Sequence, residues 1–188
     1  MFYSKKSLGQ NFLKDKNIIK KIINLKNIKN KDIVEIGPGK GALTEEILKQ
    51  RPNSLTVIEK DNYLLKKLND KYKKNKSISF YNNDILKIDL EKIIKKKSII
   101  FGNLPYNISS QILVKLIKFK EWPPKFTDLI LMFQKEVAEK ILSKSYGRLS
   151  IIANYRLKHL NKFDVSPNCF FPVPKVTSTV IHLVPLRK

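Results

Sequence analysis

From residue 32 the apolar positions fall into short unbroken runs, each followed by a stretch with apolar residues three to four apart. "DIVEIG", "SLTVIEKD", "SISFYNND", "SIIFGN" and "DLILMF" read as strands. The stretches "ALTEEILKQ", "NYLLKKLNDKYKK", "SQILVKLIKF" and "QKEVAEKILSK" read as helices. Strands without polar alternation, alternating with helices, predict a parallel sheet covered on both faces. The rhythm changes at the end. "LKHLNKFDVS" and "KVTSTVIHLVP" are joined by a proline-rich link with no helix, which predicts an antiparallel pair closing the sheet. The expected architecture is α/β, Rossmann-like, with a mostly parallel seven-stranded sheet whose last strand is antiparallel. Residues 1–31 are expected to form a preceding helical segment of the same domain. "KKLNDKYKKNK" and "EKIIKKK" keep apolar residues at helical spacing and predict surface helices.

In such sheets ligands bind beyond the carboxyl ends of the strands, and the unusual residues lie there. "EIGPGKG" follows the first of these strands. Gly37, Gly39 and Gly41 allow a tight turn and a close backbone approach to a ligand. Ala42 breaks the dinucleotide fingerprint, so a pyrophosphate cradle and a dinucleotide-dependent oxidoreductase are both disfavoured. Glu59 closes the next strand and could accept both ribose hydroxyls. Asp84 ends the third and could accept from an adenine amino group. Each has a plainer reading as a turn glycine, a surface acid or a turn aspartate. Together, at three successive strand ends, they favour an adenosine-containing ligand with no required diphosphate, and S-adenosylmethionine is the natural candidate.

Asn103-Leu104-Pro105-Tyr106 follows the fourth strand. Pro105 fixes its own φ and pushes Leu104 out of the helical region, so backbone carbonyls and the Asn103 amide can face one pocket. Tyr106 offers a ring for stacking. Acceptors plus a ring suit an exocyclic amino group on a base, and positioning against a reactive sulfonium demands no strong base. The alternative is a proline-induced turn with a core tyrosine. Phe170 and Phe171 read as core, Cys169 as a buried apolar residue, and Trp122 as loop packing. His159 and His182 lie on strands with no second metal ligand in view.

Composition adds a partner. Lys and Arg number 38 against 16 acids, giving a formal net charge of +22, which points to a polyanion and most simply to nucleic acid. Only four of the 38 are arginine, so part of that charge is what an AT-rich genome writes on a solvated surface. A hydrophobic content of 42% is enough for one domain with a sizeable core. A single cysteine excludes an intrachain disulfide. No apolar run reaches the roughly 18 residues of a membrane span, and no apolar stretch follows the charged N-terminus. A soluble, cytoplasmic, metal-free monomer is expected.

The segments "GQNFL", "EIGPGKGALT", "VIEKD", "NND", "GNLPYNIS", "QKEVAEKI", "YGRLSI" and "FFPVPKVTSTVIHL" resemble, in order and spacing, the ribosomal RNA adenine N6-dimethyltransferase family along nearly the whole chain. "QKEVAEKI" and "YGRLSI" lean toward the enzymes of the small ribosomal subunit over the resistance-type relatives acting on large-subunit RNA. The resemblance implies methyl transfer from S-adenosyl-L-methionine to N6 of two adjacent adenosines in small-subunit RNA. It implies donor contacts at Asn11, Leu13, Gly37, Gly39, Glu59, Lys60, Asp84, Ile85 and Asn103. It implies action on the base by Asn103, Leu104, Tyr106 and Phe170, with Phe170 as a second ring opposite Tyr106. Gln111 stands where the family often has proline. The family also continues into a small helical domain beyond the last strand, which is absent from this 188-residue chain, so the chain is expected to bind short RNAs weakly with little preference and to methylate small-subunit particles more slowly than a version carrying that domain. Large-subunit specificity and a non-catalytic ribosome-assembly factor remain the alternatives.

Overall fold

A computed structural model describes residues 10–143 and 147–186. The chain opens with a two-residue strand β1 (Phe12–Leu13) and helix α1 (Lys16–Ile23), then alternates β2 (Asp32–Ile36), α2 (Ala42–Lys49), β3 (Ser54–Glu59), α3 (Asn62–Tyr72), β4 (Ile78–Asn82), α4 (Leu90–Ile93), β5 (Ser98–Asn103), α5 (Ser109–Ile117), β6 (Phe126–Gln134) and α6 (Lys135–Leu142). Helix α7 (Arg148–Arg156) leads into β7 (Leu157–Val165), a 3-10 turn, the short β8 (Phe170–Phe171) and β9 (Ser178–Pro185). The main sheet has the order β4-β3-β2-β5-β6-β9-β7. β9 is inserted antiparallel between β6 and β7, and the remaining contacts are parallel. The expected seven-stranded sheet with an antiparallel last strand is therefore present.

Because side chains alternate across a strand, each continuous apolar run feeds two cores. On β6, Leu129, Leu131 and Phe133 join α5, α6 and α7 on one face. Ile130 and Met132 join α1, α2 and α3 on the other. Chain order reverses around β2, which lies between β3 and β5, and this switch point opens a crevice at the carboxyl ends. Helices α1 and α3 are each started by an acid just outside them. Asp15 accepts the N–H groups of Asn17 and Ile18, each at 2.9 Å, and Asp61 accepts those of Tyr63 and Leu64.

Two expectations are corrected, and one helix is additional to those expected. The N-terminal segment is not helical throughout: within its described part β1 pairs antiparallel with β8, Phe12 opposite Phe171 and Leu13 opposite Phe170. "EKIIKKK" is helical only to Ile93, and the following lysines form a turn in which Lys97 has φ 64°. Helix α7 was not expected from periodicity. Its Ile151 and Tyr155 face solvent and only Ser150 and Ala153 are buried, so no apolar stripe marks it. Residues 1–9, Lys144 and Tyr146, which belong to the N-terminal segment and to the "QKEVAEKILSK" and "YGRLSI" readings, lie outside the described residues. No helix among the described residues is long and apolar enough to cross a membrane.

Candidate active site

The loop after β2 takes left-handed backbone at Gly37, Gly39 and Gly41, with φ of 67°, 57° and 84°. At Gly39 the requirement is steric as well, since a Cβ there would stand 2.8 Å from the Phe12 ring. The loop is tied to β3 twice. The Gly37 N–H donates to the Ile58 carbonyl at 2.9 Å, and the Gly39 N–H donates to Glu59 Oε2 at 3.2 Å. The other Glu59 oxygen accepts the Asp61 N–H at 2.8 Å. Glu59 thus holds both flanks of the crevice. Burial pushes its carboxyl above the ordinary range, against the pull of the backbone N–H donors around it. A carboxylate has about four acceptor positions, so these bonds leave capacity for a ligand.

One strand over, Asp84 Oδ1 accepts the Leu86 N–H at 2.9 Å and Oδ2 accepts from Lys60 Nζ at 3.0 Å. The backbone N–H and the ammonium hold this carboxyl below its usual value. At the end of β5, Asn103 Nδ2 donates to the Asn11 carbonyl at 2.9 Å. That bond orients the amide and leaves its oxygen as the end available to a ligand. Leu104 is buried beside it. Tyr106 is half-buried, with its hydroxyl 2.6 Å from Ser178 Oγ at the start of β9. Burial raises the Tyr106 pKa, so the group stays a neutral phenol.

These elements enclose one cavity. Among its lining residues are Asn11, Leu13, Gly37, Gly39, Glu59, Lys60, Asp84, Ile85, Asn103, Leu104 and Tyr106. The site residues expected from sequence therefore converge, with one departure. Phe170 is fully enclosed in the core beside Leu13 and Val180 and does not line the cavity. Its neighbour Phe171 faces outward instead, 54% exposed, so the core reading of the pair holds for Phe170 and fails for Phe171.

The cavity also contains a residue that the sequence reading passed over. Glu35 is buried on β2 and lines the cavity. Thr44 Oγ1 donates to its Oε2 at 2.6 Å. Burial, reinforced by the negative charge of Glu59, pushes its pKa up to about 7. The signal was present, since an acid interrupts the apolar run of "DIVEIG" and a charge in a buried strand calls for a reason.

The remaining singled-out residues lie elsewhere. Cys169 is half-buried rather than core, and its carbonyl accepts the Lys14 N–H at 2.9 Å. Trp122 packs its loop, meeting Phe126 edge-on and the Arg156 guanidinium face-on, with its indole N–H on the Leu186 carbonyl. His182 Nε2 lies 2.7 Å from buried Asp128, which also meets Lys26. No cluster of three metal-ligating side chains occurs among the described residues.

Known proteins resemble this chain in sequence and in fold. The family model for ribosomal RNA adenine dimethylase matches residues 1–188. The chain is 45% identical over 186 residues to the ribosomal RNA small subunit methyltransferase A of Pelagibacter ubique, covering 97% of this chain and 70% of that protein. Its fold is similar to that of a dimethyladenosine transferase from Plasmodium falciparum, with a TM-score of 0.81 and 31% identity over 93% of this chain and 63% of the other. It is also similar to the 23S rRNA methyltransferase ErmE, with a TM-score of 0.78 and 26% identity over 95% of this chain and 71% of that one.

Proposed function

Because this chain belongs to the ribosomal RNA adenine dimethylase family, we propose that it transfers methyl groups from S-adenosyl-L-methionine to N6 of two adjacent adenosines in small-subunit ribosomal RNA. One observation carries the reading. The glycine loop, Glu59, Asp84 and Asn103–Tyr106 open from four neighbouring parallel strands onto a single cavity. The residues present fit the donor. Two carboxylates, Glu35 and Glu59, face a cavity that would hold a cation.

S-adenosylmethionine, when bound, supplies an electrophilic methyl group on a sulfonium. The chain has to place a weak nucleophile against it. The N6 lone pair of adenine is delocalised into the ring. Two acceptors on the amino hydrogens, the Asn103 amide oxygen and the Leu104 backbone carbonyl, favour a pyramidal nitrogen with its lone pair free. Asn103 is suited to this because its own NH2 is occupied by Asn11. Tyr106, neutral and fixed by Ser178, gives a ring face for a base drawn out of its stack. After transfer the extra proton on nitrogen can leave to water, so no base of unusual strength is needed. Preorganised polar contacts and positioning account for the acceleration.

The test is incubation of small-subunit and large-subunit particles, both unmethylated at the target adenosines, with this chain and the methyl donor, followed by mass spectrometry of each RNA. Dimethylation of two adjacent adenosines supports the reading. Methylation of large-subunit RNA alone would replace the substrate, and no transfer to either would reject the enzyme.

A further inference from the structure

Residues 171–177 form an arch whose two ends each contact residues that line the cavity. At one end Phe171 pairs with Phe12, a lining residue, and Lys40 Nζ lies 5.3 Å from the Phe171 ring centroid and 4.9 Å from that of Phe12. At the other end Ser178 holds the Tyr106 hydroxyl. Between them Phe171, Val173 and Val176 are 54%, 56% and 42% exposed. Three large apolar side chains facing water in one short segment call for an explanation. Pro172 and Pro174 alternate with them, fixing φ and removing N–H donors, so the segment is stiff and loses little freedom on contact. On a chain of net charge +22, a surface that met only phosphates would be lysine. Here the segment from Phe171 to Val176 carries one charge, Lys175.

We propose that this arch is an RNA-contacting surface, on which Phe171, Val173 and Val176 pack against the bases flanking the target adenosine once that adenosine has left its stack. The inference rests on the methyl-transfer reading and adds a partner surface to it. Unstacking exposes base faces that water solvates poorly. Apolar side chains set beside the gap replace the lost stacking neighbour, as inserted wedges do in other nucleic-acid complexes. Lysines elsewhere on the surface supply the attraction to phosphate, while the arch supplies contact that depends on an open stack. The chemistry favours RNA over a protein partner because the arch borders the cavity a base must enter.

The experiment uses an RNA hairpin with two adjacent adenosines in its loop, one replaced by 2-aminopurine, whose fluorescence rises on unstacking. Affinity and fluorescence are measured for the wild-type chain and for Phe171→Ala, Val173→Ser and Val173→Lys, with thermal melts checking the fold. Phe171→Ala should weaken binding by roughly five- to a hundredfold, the range for losing one base–aromatic contact. The fluorescence rise should shrink, the dependence on salt should keep its slope, and donor affinity should not change. Val173→Ser should move the same quantities in the same direction, and Val173→Lys should not restore them. Unchanged affinity and fluorescence would overturn the proposal and leave a protein partner for the arch. A loss accompanied by a shallower salt slope would also overturn it, since it would mark a phosphate contact, as would tighter binding by Val173→Lys. Binding is read without methyl transfer, so failure of the wild-type chain to methylate particles counts against the enzymatic reading alone.

Discussion

Replacing Glu35 by glutamine should make the protein more stable at neutral and alkaline pH. The carboxyl sits inside the sheet, where burial penalises its charge most and Glu59 adds repulsion, raising its pKa from an ordinary 4.5 to about 7. Between those two values the folded state keeps a proton that the unfolded chain has released. Stability from this group is therefore full below about pH 4.5, falls as pH rises toward 7, and is level above it. At about 1.36 kcal/mol for each pH unit of displacement, the loss is about 3 kcal/mol. For a chain of this size that corresponds to a melting temperature shift on the order of 6–12 °C. The glutamine of Glu35→Gln has no proton to lose, and the Thr44 hydroxyl can accept from its amide as readily as it now donates to the acid. Urea melts of both proteins at several pH values, without ligand, give the difference directly. Groups common to the two chains cancel, and the Glu35→Gln advantage should grow by about 3 kcal/mol between about pH 4.5 and pH 7. A difference that stays flat across that window would show that Glu35 ionises normally, and the account of its burial would be wrong.

Donor binding should share this titration. A cationic donor held in the cavity that Glu35 lines would favour the charged carboxylate, so calorimetric affinity for S-adenosylmethionine should rise from about pH 6 to about pH 8 in the wild-type chain and flatten in Glu35→Gln. Glu59→Ala removes a charged acceptor worth roughly 1.5–3 kcal/mol and should weaken donor binding about ten- to a hundredfold by calorimetry while the melt stays cooperative. Asn103→Ala should lower the single-turnover methylation rate by on the order of 10²-fold with RNA affinity nearly unchanged. A parallel loss of affinity would make Asn103 a binding residue instead. Tyr106→Phe loses only the Ser178 bond and should cost a few-fold in rate, whereas Tyr106→Ala loses a stacking contact of about 1–3 kcal/mol. Equal damage from both would place the function in the hydroxyl.

The strand ends were legible because a parallel sheet writes its strands as apolar runs stopped by Gly, Asn or Asp. "SIIFGN" coincides with β5 from Ser98 to Asn103, and the residues that interrupt or end such runs line the cavity. Other features had no local signal. β1 and β8 are two residues each and pair across most of the chain, where no periodicity can develop. Phe170 and Phe171 are adjacent in a strand, so one must point inward and the other outward, and only the pairing partner decides which. Cys169 precedes them on a turn and inherits neither fate. Glu35 was visible but unexplained, because a buried acid declares its purpose only when Thr44, Glu59 and the cavity are seen around it.

The pairing of β1 with β8 also bears on when the site can exist. Asn11, Phe12 and Leu13 leave the ribosome long before Phe170 and Phe171, the strand partners of Phe12 and Leu13. The Tyr106 hydroxyl likewise waits for Ser178. A nascent chain can fold β2 through β6 and display its glycine loop, Glu59 and Asn103 while one wall of the pocket still hangs loose. Asn103 then has no Asn11 carbonyl to orient it, and Gly39 no Phe12 to pack against. Closure of the pocket is thus a late event in synthesis, set by contacts of large sequence separation that form slowly. The growing chain remains without a complete site until the stretch from Phe170 to Ser178 has been made.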